Sequence, residues 1–344
     1  MASSTYAAAG AAAPPPTLDA LRRCADAAAV AALYGPLDGR AILITGASSG
    51  FGLACALAVV AAGGCAVMAC RPGAKAEAAA AKARAAAVRG AAAHLLPLDL
   101  ADAASVRACA AQFEALRPRL PRGGALSALL LNAGVLGMPF GAYSPGAEPA
   151  LQVNLLGHAL LHELLRPALE AAEDARVVVV ASGSHWWIDK EVDMARELPP
   201  RREGFDFGRA YGFSNLCRIL WARALSRRVA YPVVSLHPAS GPPTDAGRNM
   251  SLAVLLSVLP RVLRWEFRGL LELQSVGRGA RTQMFAAVAP RAVVAELSGR
   301  FLSGNESDGP LGCASPPSAL AQRDDLAAAV LAFVDAFVAR ERGA

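Results

Sequence analysis

No run of apolar residues in this sequence reaches the roughly 18–20 positions that a membrane-spanning helix requires. The nearest, residues 252–263, is interrupted by Pro260 and Arg261. Lysine is scarce, with Lys75, Lys82 and Lys190 the only three. The net charge of +6 therefore rests on arginines, which are scattered, with no basic run and no interleaved aromatics, so nucleic acid is not an expected partner. Paired cysteine spacing is missing as well. Seven cysteines, an odd number, occur without a C-x-x-C, which argues against zinc motifs and for reduced thiols. His158 and His162 stand four apart, as two ligands on one helix would, but no third ligand accompanies them and no metal is expected. Early positive charge, which a secretory signal needs, is absent from the first 17 residues, MASSTYAAAGAAAPPPT. They read as a disordered tail, with a short plastid leader as the alternative. The expected location is cytoplasmic, against plastid or membrane-associated.

What remains is a globular composition, 54% hydrophobic and 18% charged over 344 residues, with no internal repeat. Residues 18–33 read as a lead-in helix. Apolar runs then follow at 41–45, 65–70, 94–98, 126–132, 176–181 and 232–237. Helical patterns at 50–62, 74–89, 103–116, 148–172 and 209–229 lie between and around them. Runs that are apolar throughout, not alternately, indicate a parallel sheet covered on both faces. A short strand near 300–303 and a helix at 320–340 would complete it. The expected fold is α/β: a single doubly wound parallel-sheet Rossmann domain over residues 18–344. Two stretches break the rhythm, a polar insertion at 184–208 and a mostly apolar helical excursion at 241–273. Both follow carboxyl ends of strands, where ligands bind in open α/β sheets. The second reads as a substrate lid.

The first strand runs directly into Thr45-Gly46-Ala47-Ser48-Ser49-Gly50-Phe51-Gly52 and then a helix. Glycines there permit a tight turn and let the backbone approach a pyrophosphate, which the helix N-terminus binds through free N–H groups and its dipole. The strand before and the helix after supply the context that gives the motif its meaning. The second strand ends in Ala69-Cys70-Arg71. An acidic residue there would accept from a ribose hydroxyl, whereas Arg suits a 2′-phosphate, so NADP(H) is expected over NAD(H).

The spacing T-G-x3-G-x-G resembles that of the short-chain dehydrogenase/reductase family, and further landmarks follow in order over roughly residues 40–302. Within the family the chain resembles the retinol dehydrogenase, WW-domain oxidoreductase and protochlorophyllide reductase group. Ala69-Cys70-Arg71, Ala181-Ser182-Gly183-Ser184-His185 and Tyr211-Gly212-Phe213-Ser214 carry that likeness. The resemblance implies that Asp99, followed by Leu100, contacts adenine and that Asn132-Ala133-Gly134 closes the fourth strand beside the cofactor. It implies that Asn154 kinks its helix and anchors a water relay, that Ser182 binds substrate and that Tyr211 is the catalytic acid/base.

Carbonyl reduction needs the oxygen held and a proton delivered to the developing alkoxide. The resemblance assigns these tasks to Ser182 and Tyr211, and to a lysine four residues after the tyrosine that lowers its pKa and binds ribose. This chain has Asn215 there. An amide can bond ribose hydroxyls but supplies no charge. Arg218, seven residues after Tyr211, and Lys190 in the insertion are candidate replacements. A second departure is Pro238-Ala239-Ser240, where the family has Pro-Gly and its conformational freedom. The expected function is NADP(H)-dependent oxidoreduction of a lipophilic alcohol or carbonyl. Apolar residues 251–263, Trp265 and Phe267 would wall the substrate pocket, with core or a peripheral membrane contact as alternatives. The competing class is a catalytically weak or inactive dinucleotide-binding sensor, a pseudoenzyme, which Asn215 favours.

Overall fold

The computed structural model describes residues 17–343, apart from 89, 143–147, 189–190, 199, 240–273, 306–307 and 309. Its centre is one sheet of β1 (Ala41–Thr45), β2 (Cys65–Cys70), β3 (Ala92–Pro97), β4 (Leu126–Leu131), β5 (Val177–Val180), β6 (Val233–His237) and β7 (Phe301–Ser303). The strand order is β3-β2-β1-β4-β5-β6-β7 and every pairing is parallel. β1, β2, β4 and β5 are buried at every position, as continuous apolar runs require. The order reverses between β1 and β4, which opens a crevice at their carboxyl ends.

Successive residues of β1 face opposite layers. Leu43 joins one hydrophobic core, while Ile42 and Ile44 join the other. α1 (Leu18–Arg22), α2 (Ala27–Tyr34), α3 (Gly50–Ala61) and α4 (Ala74–Ala86) precede α5 (Ala103–Leu116), α6 (Pro149–Leu151) and α7 (Gly157–Glu170). α8 (Met194–Glu197), α9 (Phe207–Leu225) and the C-terminal α10 (Asp324–Arg342) follow, and α10 packs along α9 and α7. In α5 the buried residues are Val106, Cys109, Ala110 and Phe113, one helical stripe.

Three departures from the expected elements have local causes. The lead-in is two helices, not one. Asp26 accepts the Ala29 N–H at 2.9 Å and so caps a second helix, while the Thr17 hydroxyl caps the first. The long helix expected over 148–172 is interrupted by a π-helical stretch, Gln152–Leu156, before α7 begins. Gly157 then packs on the backbone of Leu100, where a Cβ would lie 2.2 Å from the carbonyl oxygen. The insertion at 184–208 is less polar than its composition suggests, because Ile188, Val192 and Met194 are buried in the core. Residues 1–16, Lys190 and the apolar excursion at 241–273, with Trp265 and Phe267, lie outside the described residues. Among the described residues no helix is long and apolar enough to cross a membrane.

Candidate active site

β1 ends at Thr45 and α3 starts at Gly50, so the chain must turn sharply between them. Gly46 (φ +69°) and Gly50 (φ +53°) make the turn in the left-handed region. A Cβ on Gly46 would sit 3.0 Å from the Ala133 Cα, and one on Gly52 only 2.6 Å from Asn132 Nδ2 and from the Gly46 carbonyl oxygen. The turn is therefore built around close backbone approach. Ser49, the residue before α3, makes no side-chain cap, which leaves the leading N–H groups and the dipole of α3 directed at whatever lies in front of them. What lies there is a cavity of about 500 Å³, a size that suits a small-molecule or cofactor site.

One end of this cavity is walled by Arg71 and Lys75, both exposed, and by Asp99 and Leu100. Its middle is formed by Gly46, Ser48, Ser49, Gly50 and Phe51, facing Asn132, Ala133 and Gly134. Tyr211, Arg218 and Pro238 close the other end. Such a lining suits an extended ligand whose anionic groups meet a helix N-terminus. The donor set fits a dinucleotide phosphate: cationic side chains at one end and a glycine cradle in the middle.

Thr45 and Gly52 do not wall the cavity. Thr45 is fully buried, and its hydroxyl accepts the N–H groups of Asn132 (2.9 Å) and Ala133 (3.0 Å), while Asn132 Nδ2 donates to the Thr45 carbonyl oxygen at 2.9 Å. These two residues act by fixing the walls. Asn132 also accepts from Gln283 Nε2 at 3.1 Å.

Asn154 sits in the π-helical stretch and clamps the loop after β4. Its Oδ1 accepts the Val135 N–H at 2.8 Å and its Nδ2 donates to the Val135 carbonyl at 3.2 Å and to Ser214 Oγ at 3.0 Å. Ser214 Oγ in turn donates to the Tyr211 carbonyl at 2.9 Å, so the loop, the π stretch and the first turns of α9 hold one another. Ser182 accepts the Ser184 N–H at 3.2 Å, which leaves its hydroxyl proton for another acceptor. His185 Nδ1 bonds the Ser182 carbonyl at 2.8 Å, and its Nε2 accepts the Ser318 N–H at 3.2 Å. Burial pushes the His185 pKa down to about 4, so this strut is neutral. The Trp187 ring lies 6.1 Å from the Tyr211 ring. Gly212 lets α9 approach the 183–187 turn, since a Cβ there would lie 2.8 Å from the Ser184 carbonyl oxygen.

Asn215 is fully buried and does not wall the cavity. Its Nδ2 donates to Ser184 Oγ at 3.1 Å and to the Tyr211 carbonyl at 2.9 Å, so the amide hydrogens expected to reach a ribose are directed elsewhere. Arg218 does wall it. The Arg218 Nη2 donates to the Ala133 carbonyl at 2.6 Å. The restriction expected at Ala239 is not realised: among described non-glycine residues only Arg122 has positive φ, and the close approach is made by Gly304, where a Cβ would fall 2.3 Å from the Ala239 nitrogen. Ser240 lies outside the described residues.

His158 and His162, spaced as ligands, turn to separate partners. His158 Nε2 meets the Thr45 hydroxyl at 2.9 Å and His162 Nε2 the Tyr231 hydroxyl at 2.8 Å. Among the described residues no three metal-ligating side chains converge. The structural roles of His158, Ser214 and His185 were not legible beforehand. Lys75 carried one signal: it stands four residues after Arg71, at the start of a helix.

A family profile described as short chain dehydrogenase matches residues 40–185. Retinol dehydrogenase 14 from Homo sapiens is 31% identical over 78% of this chain and 79% of its own length. The WW domain-containing oxidoreductase of Danio rerio is 34% identical over 74% of this chain, and the matched region spans 60% of that protein. A solved structure of an uncharacterised protein from Mycobacterium paratuberculosis superposes with a TM-score of 0.61 at 24% identity, covering 88% of this chain and 94% of that one. The chain belongs to the short-chain dehydrogenase/reductase family, oxidoreductases built on an NAD(P)-binding Rossmann domain.

Proposed function

We propose that this protein interconverts a lipophilic alcohol and its carbonyl with NADP(H). The observation that carries the reading is that one cavity has Arg71 and Lys75 at one end and Tyr211 at the other, with the glycine turn between them. A cation at the end of β2 favours a 2′-phosphate over a bare ribose hydroxyl. The lipophilic class is supported by the likeness to a retinol dehydrogenase, retinol being an apolar alcohol.

When bound, the cofactor supplies or accepts the hydride. The chain's own residues do the rest. In the reductive direction Ser182, whose Oγ already accepts the Ser184 N–H, would hold the carbonyl oxygen by donating a hydrogen bond to it, keeping its own proton. Tyr211 delivers a proton to the same oxygen as negative charge develops there, and takes it back in oxidation. Asn154 holds the loop after β4 and, through Ser214, the backbone of Tyr211, so that donor and cavity wall keep their spacing.

The test is a screen of NADPH oxidation with retinal-like and long-chain aldehydes, with Tyr211→Phe as control. Turnover lost in the variant is the expected result. A second reading, a dinucleotide-binding protein without turnover, is favoured by the burial of Asn215 away from the cavity. Tight NADPH binding with no turnover across the screen would put that reading ahead.

A further inference from the structure

Arg218 is 3% exposed and, among the described residues, forms no ion pair with a carboxylate. Its Nε has no hydrogen-bond partner, and its Nη2 has a neutral carbonyl, that of Ala133. His158 Nδ1 lies 3.3 Å from Nη2 but gives no compensation, because that ring already bonds Thr45 and the Asn154 carbonyl. Burying a guanidinium without an anionic partner is costly, and the cost is offset where a ligand or reacting group uses the charge. Strongly perturbed, desolvated cations of this kind gather at functional clefts.

The position of the charge says what uses it. Arg218 is seven residues after Tyr211 on α9, two turns along nearly the same face, and both wall the same cavity end. A Cβ on Gly134, in the opposite wall, would lie 3.6 Å from Arg218 Nη1. Burial pulls the guanidinium pKa down to about 10, and the Tyr211 phenolate is the charge that pushes it back up. His158 on α7, 3.3 Å from Arg218 Nη2, and His237 at the end of β6 are pushed by burial down to about 3 and about 4 and so are neutral near pH 7. Arg218 is the cationic side chain that walls the cavity with Tyr211 on α9, and the neutral rings do not offset its charge.

We propose that Arg218, not residue 215, is the positioning cation of this site: its guanidinium stabilises the Tyr211 phenolate across the cavity end that also holds Gly134. This rests on Tyr211 being the proton donor of the proposed oxidoreductase, but it is a statement about charge and can be tested without a substrate. It gives the buried, uncompensated arginine its partner. It also explains how the site retains a cation although the position four residues after Tyr211 is an amide turned away from the cavity.

The test is a pH titration of the full chain carrying ¹³Cζ-tyrosine, followed by NMR with NADPH present and absent. Of the five tyrosines, the Tyr211 signal is the one that Tyr211→Phe deletes. The expected Tyr211 midpoint lies below the ordinary value of about 10. In Arg218→Gln it rises by one unit or more, a tenfold or greater loss of phenolate at a given pH, and Arg218→Lys restores at least half of the shift. Where turnover is found, the alkaline-side pH profile moves with the midpoint. A midpoint at or above about 10 in the unsubstituted protein, or one that does not move in a folded Arg218→Gln, overturns the proposal. If Arg218→Gln does not fold, the unsubstituted midpoint and Arg218→Lys decide it. A low midpoint without turnover contradicts the oxidoreductase reading and leaves the Arg218 assignment standing. Turnover with an unshifted midpoint does the reverse.

Discussion

His158 Nε2 lies 2.9 Å from the hydroxyl oxygen of Thr45, and this contact joins α7 to the end of β1. The Thr45 oxygen already accepts two backbone N–H groups, those of Asn132 and Ala133, and its proton goes to His158, a nearer acceptor at 2.9 Å than the Leu130 carbonyl at 3.5 Å. His158 then carries its own proton on Nδ1 and donates it to the Asn154 carbonyl, 3.0 Å away; this is the tautomer that satisfies both Thr45 and Asn154. The neutral ring is what burial demands, its pKa being pushed down to about 3. One hydroxyl thus fixes the loop that forms the cavity wall.

Thr45→Val removes that hydroxyl while nearly keeping the shape. Two N–H groups and a ring nitrogen lose their partner, and each orphaned group costs about 1–3 kcal/mol. Urea unfolding is expected to show a loss of about 2 kcal/mol or more, with NADPH binding weakened at least tenfold. Thr45→Ser should recover most of both. A valine variant as stable as the parent would mean that the hydroxyl is not the hub described.

Close backbone approaches give a steric prediction. Gly157→Ala places a Cβ 2.2 Å from the Leu100 carbonyl oxygen, a backbone atom that cannot move aside without displacing the wall beside Asp99. Overpacking of this kind costs about 1–3 kcal/mol. Thermal denaturation should show a clearly lowered Tm. In contrast Gly204→Ala, where a Cβ meets nothing within 4 Å but φ is +69°, should cost only the strain of the left-handed backbone, on the order of 1 kcal/mol. Equal losses in the two variants would count against the packing argument.

The buried histidines set an acid limit on stability. His158 and His162 are pushed down to about 3, and His185 and His237 to about 4, in each case first by burial. Their unfolded-state value is near 6.5, so below that pH the unfolded chain binds protons that the folded chain refuses. Stability is therefore full above about pH 6.5 and falls as pH drops toward about 4, by on the order of 1 kcal/mol per pH unit for each histidine. Glu148, whose pKa burial raises, works in the opposite sense but offsets one group only. Urea midpoints measured from pH 8 to pH 5 should be level at first and then fall steeply. A flat profile to pH 5 would show that these rings are not buried and neutral.

Much of the fold was legible because parallel strands advertise themselves. The apolar runs at 41–45 and 65–70 coincide with β1 and β2, and the others differ from the observed strands by a residue or two at their ends. The glycine turn was legible for the same reason, since strand, glycines and helix start occur together. The catalytic end was legible only in part. Spacing places Asn215 and Arg218 on the Tyr211 side of α9, but it does not say which of them the helix rotates into the cavity. That depends on the contact of α9 with the 183–187 turn, made possible by Gly212. The interruption before α7 was legible only through the resemblance, which implies a kink at Asn154: the pattern itself reads helical throughout, and the π stretch arises where Asn154 engages Val135 while Gly157 seats on Leu100.

The central claim, a dinucleotide site that selects the 2′-phosphate through Arg71, is tested most directly by titrating the purified protein with NADPH and with NADH and following binding by calorimetry. The account predicts a Kd for NADPH at least about tenfold lower, because a charge-assisted phosphate contact can contribute about 1.4 kcal/mol or more, and it predicts that Arg71→Ala removes most of the difference while leaving NADH nearly unchanged. Equal affinities for the two cofactors in the unsubstituted protein, or no binding of either, would contradict it.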